Sequence, residues 1–211
     1  QLFVPLIPLA YVPNAKTAAV IGFGSGMTSH ALLGSPVLQS VVTIEIEPEM
    51  IRASRNFYPA NARAYDDKRS TFVIDDARAY FAASGKRFDL IVSEPSNPWV
   101  SGVSGLFTAE FYERITHYLT PNGVFAQWLH LYEIDDALLL SVMSALSQHF
   151  PTYSIYQISN RDVILVATTR AALPAPDWTI FQSQQLASDL KRVWPITSHT
   201  KRYTSESTMV A

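Results

Sequence analysis

The chain has 211 residues, a length that suits one domain with a substantial buried core. Apolar residues make up 48% and charged residues 16%, a balance that excludes disorder over most of the sequence. A formal net charge of -2 supplies no basic field for nucleic acid, and the lack of cysteine excludes disulfides and thiolate metal sites.

No apolar run reaches the roughly 18 residues that a membrane-spanning helix requires. The opening QLFVPLIPLAYVP is apolar but interrupted by Pro5, Pro8 and Pro13, and it carries no basic leader of the kind signal peptides have. The start lacks Met, so residues 1–16 are expected to be the remnant of a preceding region or linker of a longer protein. AAVIGF (18–23) then reads as a buried parallel strand running into glycines. A helix over Met27 to Leu33 follows, stopped by Gly34 and Pro36. VVTIEI (41–46) is the second strand, and Pro48 opens a helix that runs to about Phe57.

STFVID (70–75) is the third strand, with a helix from Ala77 to about Ala83. FDLIVSE (88–94) is the fourth, ending in the turn-rich PSNPWVSGVSG. Phe111, Ile115, Tyr118 and Leu119 share one face of a helix from about Thr108 to Leu119. A turn at 120–123 leads into a fifth strand, VFAQWL, and a helix spans about Asp135 to His149. TYSIYQI and DVILVAT form an antiparallel hairpin. This alternation predicts an α/β fold over residues 17–170: a mostly parallel, doubly wound sheet whose hairpin supplies one reversed edge strand. Residues 171–211 form an extension with one helix, over about Phe181–Val193.

Ligands in such sheets bind beyond the carboxyl ends of the strands, where the strand order reverses. Gly22–Met27, Glu45–Glu47, Asp75–Ala77 and Glu94–Gly105 therefore meet around one crevice. Gly22, Gly24 and Gly26, with Phe23 and Ser25 between them, let backbone approach a ligand closely, although such a turn also serves plain strand–helix packing. The dinucleotide pattern G-x-G-x-x-G fails in both registers, at Met27 and at Ser29. Glu45 lies about twenty residues past the glycines, where a carboxylate accepts ribose hydroxyls; Glu47 suits a helix-dipole role better. Of Asp75 and Asp76, one caps the next helix and the other is placed to accept an adenine amine. Glu94 can anchor a cationic substrate and take its proton, or simply stand solvated at a strand end. His30, His117, His130, His149 and His199 show no metal-ligand spacing, so no metal is expected.

These segments also resemble the spermidine synthase (polyamine aminopropyltransferase) family, in particular its divergent bacterial members that are often fused to membrane regions. VIGFGSG stands for the family's IGGGDGG, TIEIEPEMIRASRNFY for its VEID segment, and FVIDDARAY for its adenine-contacting Asp-Ala. FDLIVSEPSNP followed by LFTAEFY resembles DVIIxDSSDP followed by LFxxxFY, and GVFAQWLHL adds support. The resemblance implies a class I S-adenosylmethionine-dependent methyltransferase fold. It implies that Gly22, Gly24, Ser25 and Gly26 line the cofactor loop, that Glu45 holds ribose, and that Asp76 and Ala77 hold adenine. Glu94 takes the catalytic carboxylate's place and Asn97 that of a second Asp, while Gln127 and Tyr132 line the substrate tunnel. The implied co-substrate is decarboxylated S-adenosylmethionine, with a small-molecule amine such as putrescine as acceptor. A homodimer, and a cytoplasmic site attached to the inner face of a membrane through a segment absent here, are further implications.

Ser25, Glu94 and Asn97 depart from the family's Asp at each position, and the N-terminal β-hairpin region is missing. Ser25 favours a rival reaction, methyl transfer from intact S-adenosylmethionine, because an Asp there would repel the methionine carboxylate. Val20 counts against it, since many methyltransferases carry an acidic residue two positions before the first glycine. A cofactor-binding module without catalysis is the third alternative. Aminopropyl transfer leads.

Overall fold

The computed structural model describes residues 2–95, 102–132, 135–159 and 161–193. Seven runs rich in Val, Ile, Ala and Phe pair into one sheet. They are β1 (Thr17–Ile21), β2 (Ser40–Glu45), β3 (Ser70–Ile74), β4 (Phe88–Ser93), β5 (Leu119–His130), β6 (Thr152–Ser159) and β7 (Asp162–Thr168). Their order is β3-β2-β1-β4-β5-β7-β6. Every pair from β3 to β5 is parallel, and β7 runs antiparallel to both β5 and β6.

The reversed strand was expected at the sheet edge, and here the structure corrects the sequence. β7 inserts between β5 and β6 because its continuous apolar run, Val163 to Ala167, is buried throughout. β6 is largely part-exposed and takes the edge.

Helices cover both faces. One face carries α1 (Phe3–Tyr11), α2 (Met27–Leu32) and α8 (Gln184–Val193), packed over Val20, Leu90, Val92, Val124, Ala126, Ile164 and Val166. The other carries α5 (Ala77–Ser84), α6 (Ala109–Tyr118) and α7 (Asp136–Ser147), packed over Ala19, Ile21, Ile91, Phe125 and Leu165. The helix opened by Pro48 divides into α3 (Pro48–Ala53) and a 3-10 turn, Ser54–Phe57. A short α4 (Ala62–Asp66) follows that the sequence pattern did not signal.

The opening segment differs most from the linker expected of it. Its prolines do not prevent a helix: Pro5 lies in the first turn of α1, where a missing N–H costs nothing, and only Pro8 sits inside. Val4, Leu6, Leu9 and Ala10 are at most 1% exposed, so burial outweighs the bond lost at Pro8. The extension after 171 closes over this helix. The Asp177 amide donates to the Ala10 carbonyl at 2.7 Å, satisfying one of the last carbonyls of α1. On α8, Asp189 is buried and accepts from Arg63 Nη2 at 2.7 Å.

Leu9→Ala removes a side chain that is 1% exposed in the core and is expected to cost about 2–5 kcal/mol in urea denaturation. Leu140→Ala, at a position on α7 that is 62% exposed, should stay within about 0.5 kcal/mol of the parent.

Candidate active site

β1 lies between β2 and β4, so the chain leaves it at the point where the strand order reverses. Backbone bonds fix this exit: the Gly22 amide donates to the Ile44 carbonyl at 2.9 Å, and the Glu94 amide to the Ile21 carbonyl at 2.8 Å. Gly22 has φ +87°, and a Cβ there would stand 2.6 Å from the Glu94 carbonyl oxygen. Phe23 then turns inward, 1% exposed, with its ring edge-on to Phe72 and Tyr65 at 4.9 and 5.8 Å. Gly26 makes room for that ring, which a Cβ would meet at 2.7 Å. Gly24 faces open space. The alternation in G-F-G-S-G is thus one aromatic anchor with glycines at 22 and 26 where a side chain would collide.

A crevice of about 340 Å³ opens above this turn, walled by Gly22–Gly24, Glu45–Glu47, Asp75–Ala77, Glu94, Pro95 and Gly102. These are segments that the sequence assigned to one crevice. Ile46, Met50, Val103 and Leu106 add apolar wall; Ile46 is 69% exposed, so hydrophobic patterning gave no sign of this role.

Glu45 is buried against the loop it serves. Its Oε2 accepts the Phe23 amide and its Oε1 the Glu47 amide, both at 2.9 Å. Each oxygen keeps a second lone pair for a ligand hydroxyl. Asp76 caps α5 through Oδ1, which accepts the amides of Arg78 and Ala79 at 2.8 and 3.2 Å. Its Oδ2 faces Arg78 Nη2 at 3.0 Å, and that guanidinium holds the carboxyl below the usual range. Asp75 accepts the Asp76 amide at 2.8 Å and lines the crevice beside it.

Glu94 follows β4 by one residue. Leu90 and Val92 face α1 and α2, so the two-residue alternation turns Glu94 the same way, and its Oε2 accepts a hydrogen bond from Thr28 Oγ1 on α2. Burial pushes its carboxyl up from 4.5 to about 7, against the opposing pull of the Thr28 bond. A carboxyl poised there exchanges a proton readily near neutral pH. Thr28 was not anticipated from sequence: it stands on a helix with nothing in its spacing to mark it.

The remaining candidates fall differently. Ser25 is not among the lining residues of the crevice; its carbonyl receives Asn61 Nδ2 at 2.8 Å and its Oγ faces the Met27 amide at 3.4 Å. Gln127 pairs with Ser93, whose place one residue before Glu94 turns both side chains to the opposite sheet face. Gln127 is fully buried, with Nε2 donating to the Trp128 carbonyl at 3.2 Å, and the structure does not bring it to Glu94. Tyr132 follows the end of β5, 45% exposed. Asn97 lies outside the described residues. Among the described residues no group of three His, Asp or Glu side chains is arranged to hold a metal.

Gly22→Ala should cost far more than Gly24→Ala. Both meet the penalty of about 1–2 kcal/mol for left-handed backbone, but only the first drives a Cβ into backbone. Denaturation midpoints and nucleoside titrations of the two variants check this, and equal effects would contradict the packing account.

The spermine/spermidine synthase domain family matches residues 4–165. A polyamine aminopropyltransferase of Caldicellulosiruptor saccharolyticus is 31% identical over 150 residues, covering 71% of this chain and 54% of its own. Putrescine N-methyltransferase 2 of Nicotiana tabacum is 32% identical over 134 residues, 61% of this chain and 38% of that protein. The chain thus spans about half the length, or less, of these curated relatives. A spermidine synthase solved with the transition-state analogue AdoDATO superposes with TM-score 0.73 at 24% identity, over 80% of this chain and 59% of that one. Human methyltransferase-like protein 13, solved with SAH, gives 0.63 at 19% identity, over 98% and 94%. These two likenesses speak to the fold. With the matched region running from α1 into β7, the chain belongs to the spermine/spermidine synthase domain family.

Proposed function

We propose that the protein transfers an aminopropyl group from decarboxylated S-adenosylmethionine to a small amine such as putrescine. The observation that carries this reading is the charge of the crevice. Glu45, Glu47, Asp75, Asp76 and Glu94 line it, and no Lys or Arg stands among its described lining residues. Such a wall repels a pyrophosphate and attracts a sulfonium. It also discriminates between the two sulfonium donors. The intact donor carries a methionine carboxylate, which beside an ionised carboxylate costs roughly 1–4 kcal/mol at 4 Å in aqueous to surface-like surroundings. The decarboxylated donor ends in an ammonium instead.

The residues present fit this group. Glu45 has lone pairs for ribose hydroxyls, and Asp75 with Asp76 stands where an exocyclic amine would be received. Ile46, Met50, Val103 and Leu106 offer apolar surface to a base. When bound, such a donor supplies an electrophilic propyl carbon and methylthioadenosine as leaving group. Glu94 holds the acceptor amine and takes its proton, so that a neutral nitrogen attacks. Glu45 and the Gly22–Gly24 turn fix the orientation that makes attack in line.

Methyl transfer to an amine is the second reading. Ser25 favours it, since the loop there carries no acid to repel a methionine carboxylate, and the relatives named putrescine N-methyltransferase are consistent with it.

Glu94→Gln is expected to lower kcat by at least ~10²-fold while leaving methylthioadenosine affinity within about threefold. Turnover by the parent should rise with pH through about 7 as Glu94 ionises. Because the folded state raises this carboxyl, ionising it costs stability. The parent should therefore lose stability relative to Glu94→Gln as pH climbs from 4.5 through about 7. Release of methylthioadenosine from decarboxylated donor and putrescine, followed by chromatography, checks the activity. A fully active Glu94→Gln variant would overturn the assignment.

A further inference from the structure

β5 carries more than the sheet requires. Val124 and Ala126 face α1 and α2, Trp128 packs against the same cluster, and the alternation brings His130 to that face too. Glu94 shares it. Ser93 pairs with Gln127, so Trp128 stands level with Glu94 on the neighbouring strand and His130 two residues beyond. Strand spacing then separates the Cα atoms of Glu94 and His130 by about 8 Å.

His130 is held in one orientation by its partners. It pairs across the ladder with Asp162, and its Nδ1 lies 2.7 Å from Asp162 Oδ1. A carboxylate only accepts, so Nδ1 carries a proton, and in the neutral ring Nε2 presents a lone pair. Ser159 Oγ donates to the other Asp162 oxygen at 2.7 Å, which fixes the carboxylate in turn. Nothing among the described residues bonds Nε2. The imidazole is 23% exposed. Aromatic rings flank it, with centroids at 4.1 Å for Trp128 and 5.3 Å for Tyr132.

We propose that His130, oriented by Asp162, receives the far ammonium of a diamine acceptor and thereby selects diamines over monoamines, an inference that rests on the aminopropyl-transfer reading of the Glu94 crevice. An ammonium is donor only, and Nε2 backed by a carboxylate is an acceptor with negative charge behind it. The flanking rings add cation–π attraction and cover methylenes. A four-carbon diamine spans about 6 Å between its nitrogens, which suits two side chains rooted about 8 Å apart and pointing to the same side. Asp162 acts through His130 and is a positioning residue.

The test is a histidine ¹⁵N NMR titration of the protein loaded with methylthioadenosine, using putrescine and 1-aminobutane as probes. The expected result is a saturable shift of His130 Nε2 with putrescine and none with 1-aminobutane. His130→Phe keeps the ring and removes the acceptor; it should weaken putrescine binding about tenfold or more and leave 1-aminobutane binding unchanged. Asp162→Asn should lower the Nδ1-protonated population and weaken putrescine in the same sense. In turnover, both variants should raise KM for putrescine more than they lower kcat. An unmoved His130 signal, or equal loss for both amines, overturns the role of His130. Failure to bind methylthioadenosine would instead bring down the functional reading beneath it.

Discussion

The packing of two backbone turns against each other governs the site. At Gly22 the chain leaving β1 presses onto the Glu94 carbonyl so closely that no Cβ fits between them. That contact sets the distance between the glycine turn and the carboxylate following β4, and with it the floor of the crevice. It depends on parallel neighbours ending level, which the β2-β1-β4 ladders enforce. Phe23, wedged against Phe72 and Tyr65, keeps the turn from relaxing outward. Rigid strands therefore aim flexible chemistry, the usual division of labour at a switch point.

Around that floor the protein gathers acids and gives them different partners. Glu45 accepts two backbone amides and Asp76 is tied to Arg78, so both are held in place by their partners. Glu94 has one hydroxyl partner, Thr28, and burial dominates its titration. Two carboxylates thus serve as fixed acceptors while a third is free to exchange a proton near neutral pH. The five acids that line the crevice would hold a neutral or cationic nucleoside far better than a phosphate.

Much of this was legible in the sequence because strand ends and glycines are local signals. G-F-G-S-G, Glu45, Asp75-Asp76 and Glu94 each follow an apolar run at the place where a parallel strand must stop, and the fold gathers them without further information. What escaped was non-local or locally contradicted. α1 was hidden by its prolines, whose cost is met by burial against strands far along the chain. The inner position of β7 depends on which hairpin strand is more continuously apolar, a comparison that periodicity alone does not make. Gln127 was expected beside the substrate, yet strand parity turns it to the far face. The His130–Asp162 pair joins residues 32 apart through antiparallel register, and neither residue is marked by its neighbours.

On the proposed reading, the crevice distinguishes its donor by charge. Calorimetric titration with decarboxylated and intact S-adenosylmethionine, in parallel and at low salt, tests it most directly. Tighter binding of the decarboxylated donor is expected, by about tenfold for a difference of 1.4 kcal/mol, with the preference shrinking as salt screens the carboxylates. Equal or tighter binding of the intact donor would contradict it and move the assignment to methyl transfer.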